Sequence, residues 1–372
     1  MDTSGAQEYD RLQELKTSDE KKAGVKGLVD SGLQKIPKIF VRPAEELAKD
    51  LNYKRAQIEA PVIDLGDLEK THWHKQIVEE VRIASETWGF FQVGNHGISL
   101  NVLNVMLDAI QKFNEQDVEE KKKYYKQDNT RRVRFNSNFD LFTSRTSSWR
   151  DTLAISFSDP DQINSDDLPD LCRKSVIEYS KLVNNLGNIL FGLLSEALGH
   201  EPEHLRNMDC SEGHRLSCHY YLACPESELT LGTAKNSDPG FLTILLQNQI
   251  DSLQIFFQNQ WVDVQPIPGA FVINIGDLLQ LVSNGKFTSN KHRVVANRLV
   301  PRISIACFFS GPIHMDKIFY GPIKELISEE NPPEYREWGN LVMVLVNRSG
   351  AMVVLLAGGF VCGNGMGDGS GG

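Results

Sequence analysis

Three short pieces between Cys218 and Phe309 carry side chains suited to binding a metal ion and an anion. They are Lys235-Asn236-Ser237-Asp238-Pro239, Asn290-Lys291-His292-Arg293 and Pro301-Arg302-Ile303-Ser304. Asp238 offers a carboxylate and His292 an imidazole, both ordinary donors to a transition metal. In an extended chain residues two apart share a face. Asn236 and Asp238 therefore point the same way where that stretch is extended. Arg302 and Ser304 share a face with Ala306 and Phe308, while Ile303, Ile305, Cys307 and Phe309 take the other. An arginine on the inner face of a barrel needs an anionic partner, because a buried, unpaired guanidinium is costly. No acid alternates with Arg302 locally, which leaves two readings. Either a bound carboxylate is held bidentately by Arg302, with further bonds from Ser304 and Tyr221, or Arg302 pairs with an acid distant in sequence. His292 is likewise either a metal ligand or a hydrogen-bonded turn histidine. The pattern reads as a metal site beside a carboxylate clamp, and Asn236 is its discordant member.

These residues need a scaffold, and the flanking sequence provides one. From about residue 215, short β-rich runs at 216–222, 241–247, 253–257, 261–264, 271–275, 278–283, 293–295 and 302–309 are separated by Pro, Gly, Asn and Asp. That spacing predicts a jelly roll or double-sheet barrel. Upstream, 72–88, 100–126 and 174–198 have helical periodicity, and 60–65 and 90–93 are strand-like. Gly89 ends the first of these helices. Residues 133–153 mix polar and aromatic side chains, either as pocket-lining strands or as an edge hairpin. Phe135, Asn138 and Phe142, together with Phe308, are the candidate substrate-pocket residues. Before them, a short helix starting near Ser18 is broken by glycines at 25–32, and Ile36-Pro37 is extended. Helices first and a barrel later make an α+β chain. The divisions are a lead-in at 1–50, a helix-rich domain at 51–205, the jelly roll at 206–312, a connecting segment at 313–337 and an atypical, disordered tail at 338–372.

Composition narrows the function. A chain of 372 residues with net charge -10 is not expected to bind nucleic acid. Its main basic run, Lys121-Lys122-Lys123, follows Glu119-Glu120 and reads as a solvated helix face. Six scattered cysteines without a C-x-x-C pair argue against a zinc ribbon or a disulfide scaffold. The first residues are polar and carry no apolar leader, so the expectation is a cytoplasmic monomer with reduced thiols, without membrane attachment, acting on a small molecule. His96, in an Asn-His-Gly turn, reads as structural.

Trp88-Gly89-Phe90-Phe91-Gln92-Val93-Gly94-Asn95-His96-Gly97-Ile98, His219-Tyr220-Tyr221, Val272 to Gln280 and Pro301-Arg302-Ile303-Ser304 resemble plant 2-oxoglutarate- and Fe(II)-dependent dioxygenases over about residues 20–337. The lead-in, Gly24-Val25-Lys26-Gly27-Leu28-Val29-Asp30 with Lys35-Ile36-Pro37, is similar to the 1-aminocyclopropane-1-carboxylate oxidase homologue group rather than to the ethylene-forming enzyme. The resemblance implies a double-stranded β-helix that uses Fe(II), 2-oxoglutarate and O2; the alternative is an ascorbate-dependent oxidase like the ethylene-forming enzyme, against which the lead-in speaks. The resemblance also implies hydroxylation or desaturation of a small plant metabolite. Asp238 and His292 match two of the family's metal ligands, and Arg302, Ser304 and Tyr221 match its 2-oxoglutarate clamp.

Two departures stand out. The family's first ligand is histidine, and here it is Asn236. Three outcomes are open: a catalytically inactive homologue that still binds 2-oxoglutarate or a small molecule, iron held by Asp238 and His292 with water or the Asn236 amide, or substitution by a nearby group such as His219. The other departure is the segment after Glu337, which does not continue the family's pattern and ends in a glycine-rich run.

Overall fold

Apolar stripes at helical spacing and runs of β-branched residues build two layers on one large sheet. The computed structural model describes residues 9–51, 58–128, 131–138, 141–142, 144–157, 165–312, 319–335, 338–339, 342–346 and 352–356. Its α-helices are α1 (Arg11–Lys21), α2 (Gly24–Asp30), α3 (Ala44–Leu51), α4 (Thr71–Thr87), α5 (Leu100–Glu115), α6 (Val118–Lys122), α7 (Arg173–Ala197), α8 (His204–Asn207) and α9 (Asp277–Val282). The first strands are β1 (Val62–Asp64), β2 (Phe90–Gly94), β3 (Val133–Asn136), β4 (Asp151–Phe157) and β5 (His214–Tyr221). Then follow β6 (Leu231–Asn236), β7 (Leu242–Gln247), β8 (Leu253–Phe257), β9 (Gln260–Asp263), β10 (Phe271–Ile275), β11 (His292–Val295) and β12 (Arg302–Phe309). Short strands β13 (Phe319–Tyr320), β14 (Trp338–Gly339), β15 (Val342–Val346) and β16 (Met352–Leu356) close the series.

The major sheet runs β1-β2-β10-β7-β12-β5-β4-β3, and the minor sheet runs β6-β11-β8-β9. Strands far apart in sequence are neighbours, as the jelly-roll expectation requires. One face of the major sheet packs on α4, α5 and α7 through a large apolar core including Phe91, Leu103, Phe113, Leu190, Ile303 and Phe309. The other face meets the minor sheet through a smaller cluster that includes Phe90, Tyr221, Leu245, Ile255 and Ala306, with Phe308 at its edge. This alternation puts Arg302, Ser304, Ala306 and Phe308 inside the barrel.

Several expectations are corrected. Residues 278–283 are not a strand; Asp277–Val282 is a helix, since a short apolar run has no period that separates the two and the acidic Asp277 suits a first helical turn. Leu231–Asn236 is a strand that the polar Lys235-Asn236 concealed. The short helix starts at Arg11 rather than near Ser18 and ends at Lys21, and the glycine-containing stretch after it is itself helical, as α2. Its leading amides, Val25 N–H and Lys26 N–H, donate to the buried Asp151 carboxylate at 2.7 and 2.9 Å, placing an anion at the helix N-terminus. Gly24 has φ +69°, and a Cβ there would lie 2.4 Å from Asp151 Oδ1. In the segment after Glu337, β14 pairs with β13, and β15 pairs with β16 through valine-rich runs. Residues 357–372 lie outside the described residues. Among the described residues, no helix is long and apolar enough to cross a membrane.

Asp151 also accepts from the Ser137 hydroxyl at 3.0 Å, so one carboxylate ties the N-terminal segment to the sheet. Asp151→Ala leaves these donors without a partner and is expected to cost about 2–4 kcal/mol in urea unfolding. A loss below about 1 kcal/mol would show that the helix does not depend on this anchor.

Candidate active site

Asn236 ends β6 and lies directly opposite His292, the first residue of β11, in the antiparallel register. Asp238 follows two residues after Asn236, just beyond the strand. Its Oδ2 accepts hydrogen bonds from Thr243 Oγ1 at 2.7 Å and Asn274 Nδ2 at 2.8 Å. Those neighbours fix the carboxylate and leave Oδ1 facing His292 Nε2 at 3.6 Å. Asn236 Nδ2 lies 3.5 Å from the same Nε2, while the Asn236 Oδ1 is buried without a partner. The His292 ring is fixed in part by an edge contact with Phe90, 5.4 Å between centroids. The backbone under Asp238 is held by the Asp277 N–H, which donates to the Asp238 carbonyl at 2.8 Å. A close backbone approach makes this possible: a Cβ on Gly276 would sit 2.0 Å from the Gly240 carbonyl oxygen.

The second centre lies around Arg302, which is 1% exposed. Its Nη2 donates to Gln247 Oε1 at 2.7 Å and its Nη1 to Ser304 Oγ at 3.2 Å. The guanidinium carbon is 5.0 Å from the Tyr221 ring centroid, and Nε is buried without a partner. Among the described residues no ion pair involves Arg302, so the distant-acid reading fails. Its pKa is held below the usual arginine value by burial, with Tyr221 opposing. Burial raises the Tyr221 pKa, but the guanidiniums of Arg150 and Arg302 outweigh this and hold it below the usual tyrosine value.

The Tyr221 hydroxyl is 3.2 Å from Thr233 Oγ1, to which Arg150 Nη1 donates at 2.6 Å. Gln247, Arg150 and Thr233 were not anticipated as parts of this centre. The inward alternation of β7 could have identified Gln247; the contact between Arg150 and Thr233 joins two sheets and leaves no local pattern.

His219 is held by Thr152, 3.0 Å from its Nδ1. Burial first, then Arg150, Arg302 and Arg215, hold its pKa well below the usual value. It does not join Asp238 and His292: no cluster of three His, Cys, Asp or Glu residues suited to a metal occurs among the described residues. Of the pocket candidates, Phe308 faces the barrel interior. Phe135 does not; it packs on the helical side against Phe113 and Tyr125, at 5.7 and 6.1 Å between ring centroids. Asn138 bonds Ser148 through both ends of its amide, a loop-holding role, and Phe142 is exposed. These three placements correct the pocket assignment, because a mixture of polar and aromatic side chains does not say which face of a strand is buried, and Asn138 and Phe142 lie beyond β3.

Known proteins resemble this chain over most of its length. A family model for the 2OG-Fe(II) oxygenase superfamily matches residues 212–311, and one for the N-terminal region of non-haem dioxygenases, described from morphine synthesis, matches 60–173. The chain belongs to the 2OG-Fe(II) oxygenase superfamily. It is 50% identical over 335 residues to 1-aminocyclopropane-1-carboxylate oxidase homolog 3 of Arabidopsis thaliana, covering 88% of this chain and 90% of that protein. It is 49% identical over 337 residues to deacetoxyvindoline 4-hydroxylase of Catharanthus roseus, covering 89% of this chain and 84% of the relative. Among solved structures, JOX2 in complex with 2OG, Fe and JA superposes with TM-score 0.74 at 28% identity, over 85% of this chain and 90% of that one.

The family uses Fe(II), 2-oxoglutarate and O2. Asp238 Oδ1 and His292 Nε2 fit a metal ion placed between them, and rotation of the Asn236 amide would turn its unpartnered oxygen toward the same point. The donor set is therefore one carboxylate, one imidazole and one neutral amide.

Asp277, beside this centre, accepts from Ser289 Oγ at 2.6 Å and Ser237 Oγ at 3.1 Å. Burial pushes its pKa up to about 6, against those hydrogen bonds, and Asp238 adds to the rise. A carboxyl that holds its proton more tightly when folded makes stability fall as pH rises from about 4 to about 6. Asp277→Asn removes this dependence. In metal-free protein, the stability of Asp277→Asn relative to the parent should increase across that interval; a constant difference would contradict it.

Proposed function

We propose that this protein catalyses the 2-oxoglutarate-dependent hydroxylation or desaturation of a small plant metabolite, at an iron site weakened by Asn236. The buried Arg302, with no ion-pair partner among the described residues and an unpaired Nε, is the observation that carries this reading. A dicarboxylate whose far carboxylate meets Arg302, Ser304 and Tyr221 supplies the missing negative charge. Its 2-oxo acid end then faces Asp238 and His292. When bound there, Fe(II) supplies the O2 chemistry. The protein orients the co-substrate, excludes water with the apolar residues between its two sheets and fixes the Asp238 carboxylate through Thr243 and Asn274. Phe308 belongs to the proposed substrate side. Relatives such as the deacetoxyvindoline 4-hydroxylase support a small plant metabolite as the class of substrate.

Asn236 favours a second reading, a homologue that binds 2-oxoglutarate without turnover. An amide oxygen is a weaker and uncharged donor. Outer-shell losses already cost about 10–100-fold in metal affinity or activity, so an inner ligand matters at least as much. Asn236→His should tighten Fe(II) binding in anaerobic titration by about tenfold or more and raise succinate release. Equal affinity and turnover in the two proteins would remove Asn236 as the limiting feature. Stoichiometric iron with rapid succinate formation in the parent would exclude the non-catalytic reading.

Arg302→Gln tests the clamp separately. Removing one partner of a buried charge pair costs about 2–5 kcal/mol, so 2-oxoglutarate affinity should fall by about 30-fold or more in calorimetry. An unchanged affinity would place the co-substrate elsewhere.

A further inference from the structure

A second guanidinium on the barrel's inner face has no role in holding 2-oxoglutarate. Arg215 lies in β5, directly across from Phe308 in β12 and Ser156 in β4. Its guanidinium carbon is 5.4 Å from the Phe308 ring centroid, and its Nε is buried without a hydrogen-bond partner. Among the described residues it forms no ion pair. The charges that act on it are Asp238, which attracts it, and Arg134, with which it repels. The register places it away from the clamp: Tyr221 pairs with Arg302 at one end of β5, whereas Arg215 pairs with Phe308 near the other.

Phe308 in turn pairs with Thr243, the residue that donates to Asp238. Arg215 and Thr243 are thus two strands apart, roughly 10 Å at the usual strand spacing. The environment also changes along the strands. Arg302, Ser304, His219 and Gln247 are buried, but Ser156, Arg215 and Phe308 are half-buried, which marks this end as the open side. An aromatic face, an unpaired cation and the Asp238–His292 pair therefore line one span.

We infer that Arg215 is a specificity-determining residue that binds a carboxylate on the substrate, with the substrate's apolar body lying on Phe308 and its oxidised carbon directed toward Asp238 and His292. This rests on the function proposed above and narrows it to small, largely apolar acids. The planar guanidinium suits a carboxylate bidentately, and Phe308 is already positioned to stack. Arg134, buried nearby with its Nη1 donating to the Arg131 carbonyl at 3.1 Å, adds to the positive potential.

The test uses trans-cinnamate, 1-naphthylacetate and decanoate, each against its methyl ester, with full-length protein under saturating 2-oxoglutarate so that Arg302 is occupied. Affinities are measured by calorimetry for the parent, Arg215→Gln and Arg302→Gln, with melting curves to establish folding. At least one acid should bind the parent about tenfold or more tighter than its ester, as a charge-assisted pair requires. Arg215→Gln should abolish that preference while leaving 2-oxoglutarate affinity within about twofold, since only the substrate's charged pair is removed. Equal binding of acids and esters, no binding of any acid, or a preference that survives Arg215→Gln overturns the inference. A preference lost only in Arg302→Gln also overturns it, by placing the acids in the clamp. If the parent fails to bind 2-oxoglutarate itself, the clamp reading falls instead, and the acid–ester comparison is then made without the co-substrate. A misfolded glutamine variant is replaced by Arg215→Lys, which keeps the charge but loses the planar fork, and must weaken the acid selectively.

Discussion

A full positive charge buried between two sheets is the constraint on which the site depends. Arg302 is bonded to Gln247 and Ser304 and lies over Tyr221, with no carboxylate paired to it among the described residues. Desolvating a guanidinium without a countercharge is unfavourable, so the fold bears a cost that an anionic guest relieves. The neighbouring strands hold the surrounding polar groups in place for that guest. A structural ion pair would satisfy the charge permanently and close the site.

The rest of the architecture follows from the need to keep such a polar interior rigid. The outer face of the major sheet is packed by α4, α5 and α7, so stability comes from a core separate from the chemistry. The inner face can then carry Arg134, Arg150, Arg215, His219 and Arg302. The minor sheet supplies Asn236 and His292 from paired strands, and Asp238 from the turn beyond. The five described cysteines are free and buried. Burial pushes their thiols up, strongly so for Cys218 and Cys307, which makes them unreactive packing groups.

Much of this was legible in the sequence because strand alternation is local. Arg302 and Ser304 could be assigned to one face, and the long helices followed from periodicity. What was not legible depends on partners far apart in the chain. Asn274 and Thr243 reveal themselves only where β10 and β7 meet the Asp238 loop. Phe135 was given to the pocket although its neighbours are on α5, because a mixed strand does not announce which face is buried. The helix Asp277–Val282 shows the same ambiguity for a short apolar run.

The central claim is that the clamp and the Asp238–His292 pair form a single site, complete on one side and weakened by Asn236 on the other. A co-substrate held by the clamp at one end and by the metal at the other ties the two affinities together, each raising the other by the same factor. Anaerobic equilibrium dialysis of Fe(II), with and without saturating 2-oxoglutarate, tests this most directly. Iron should bind weakly alone and about tenfold or more tighter with 2-oxoglutarate, within the usual range of coupling energies. Iron affinity that is independent of 2-oxoglutarate would contradict it.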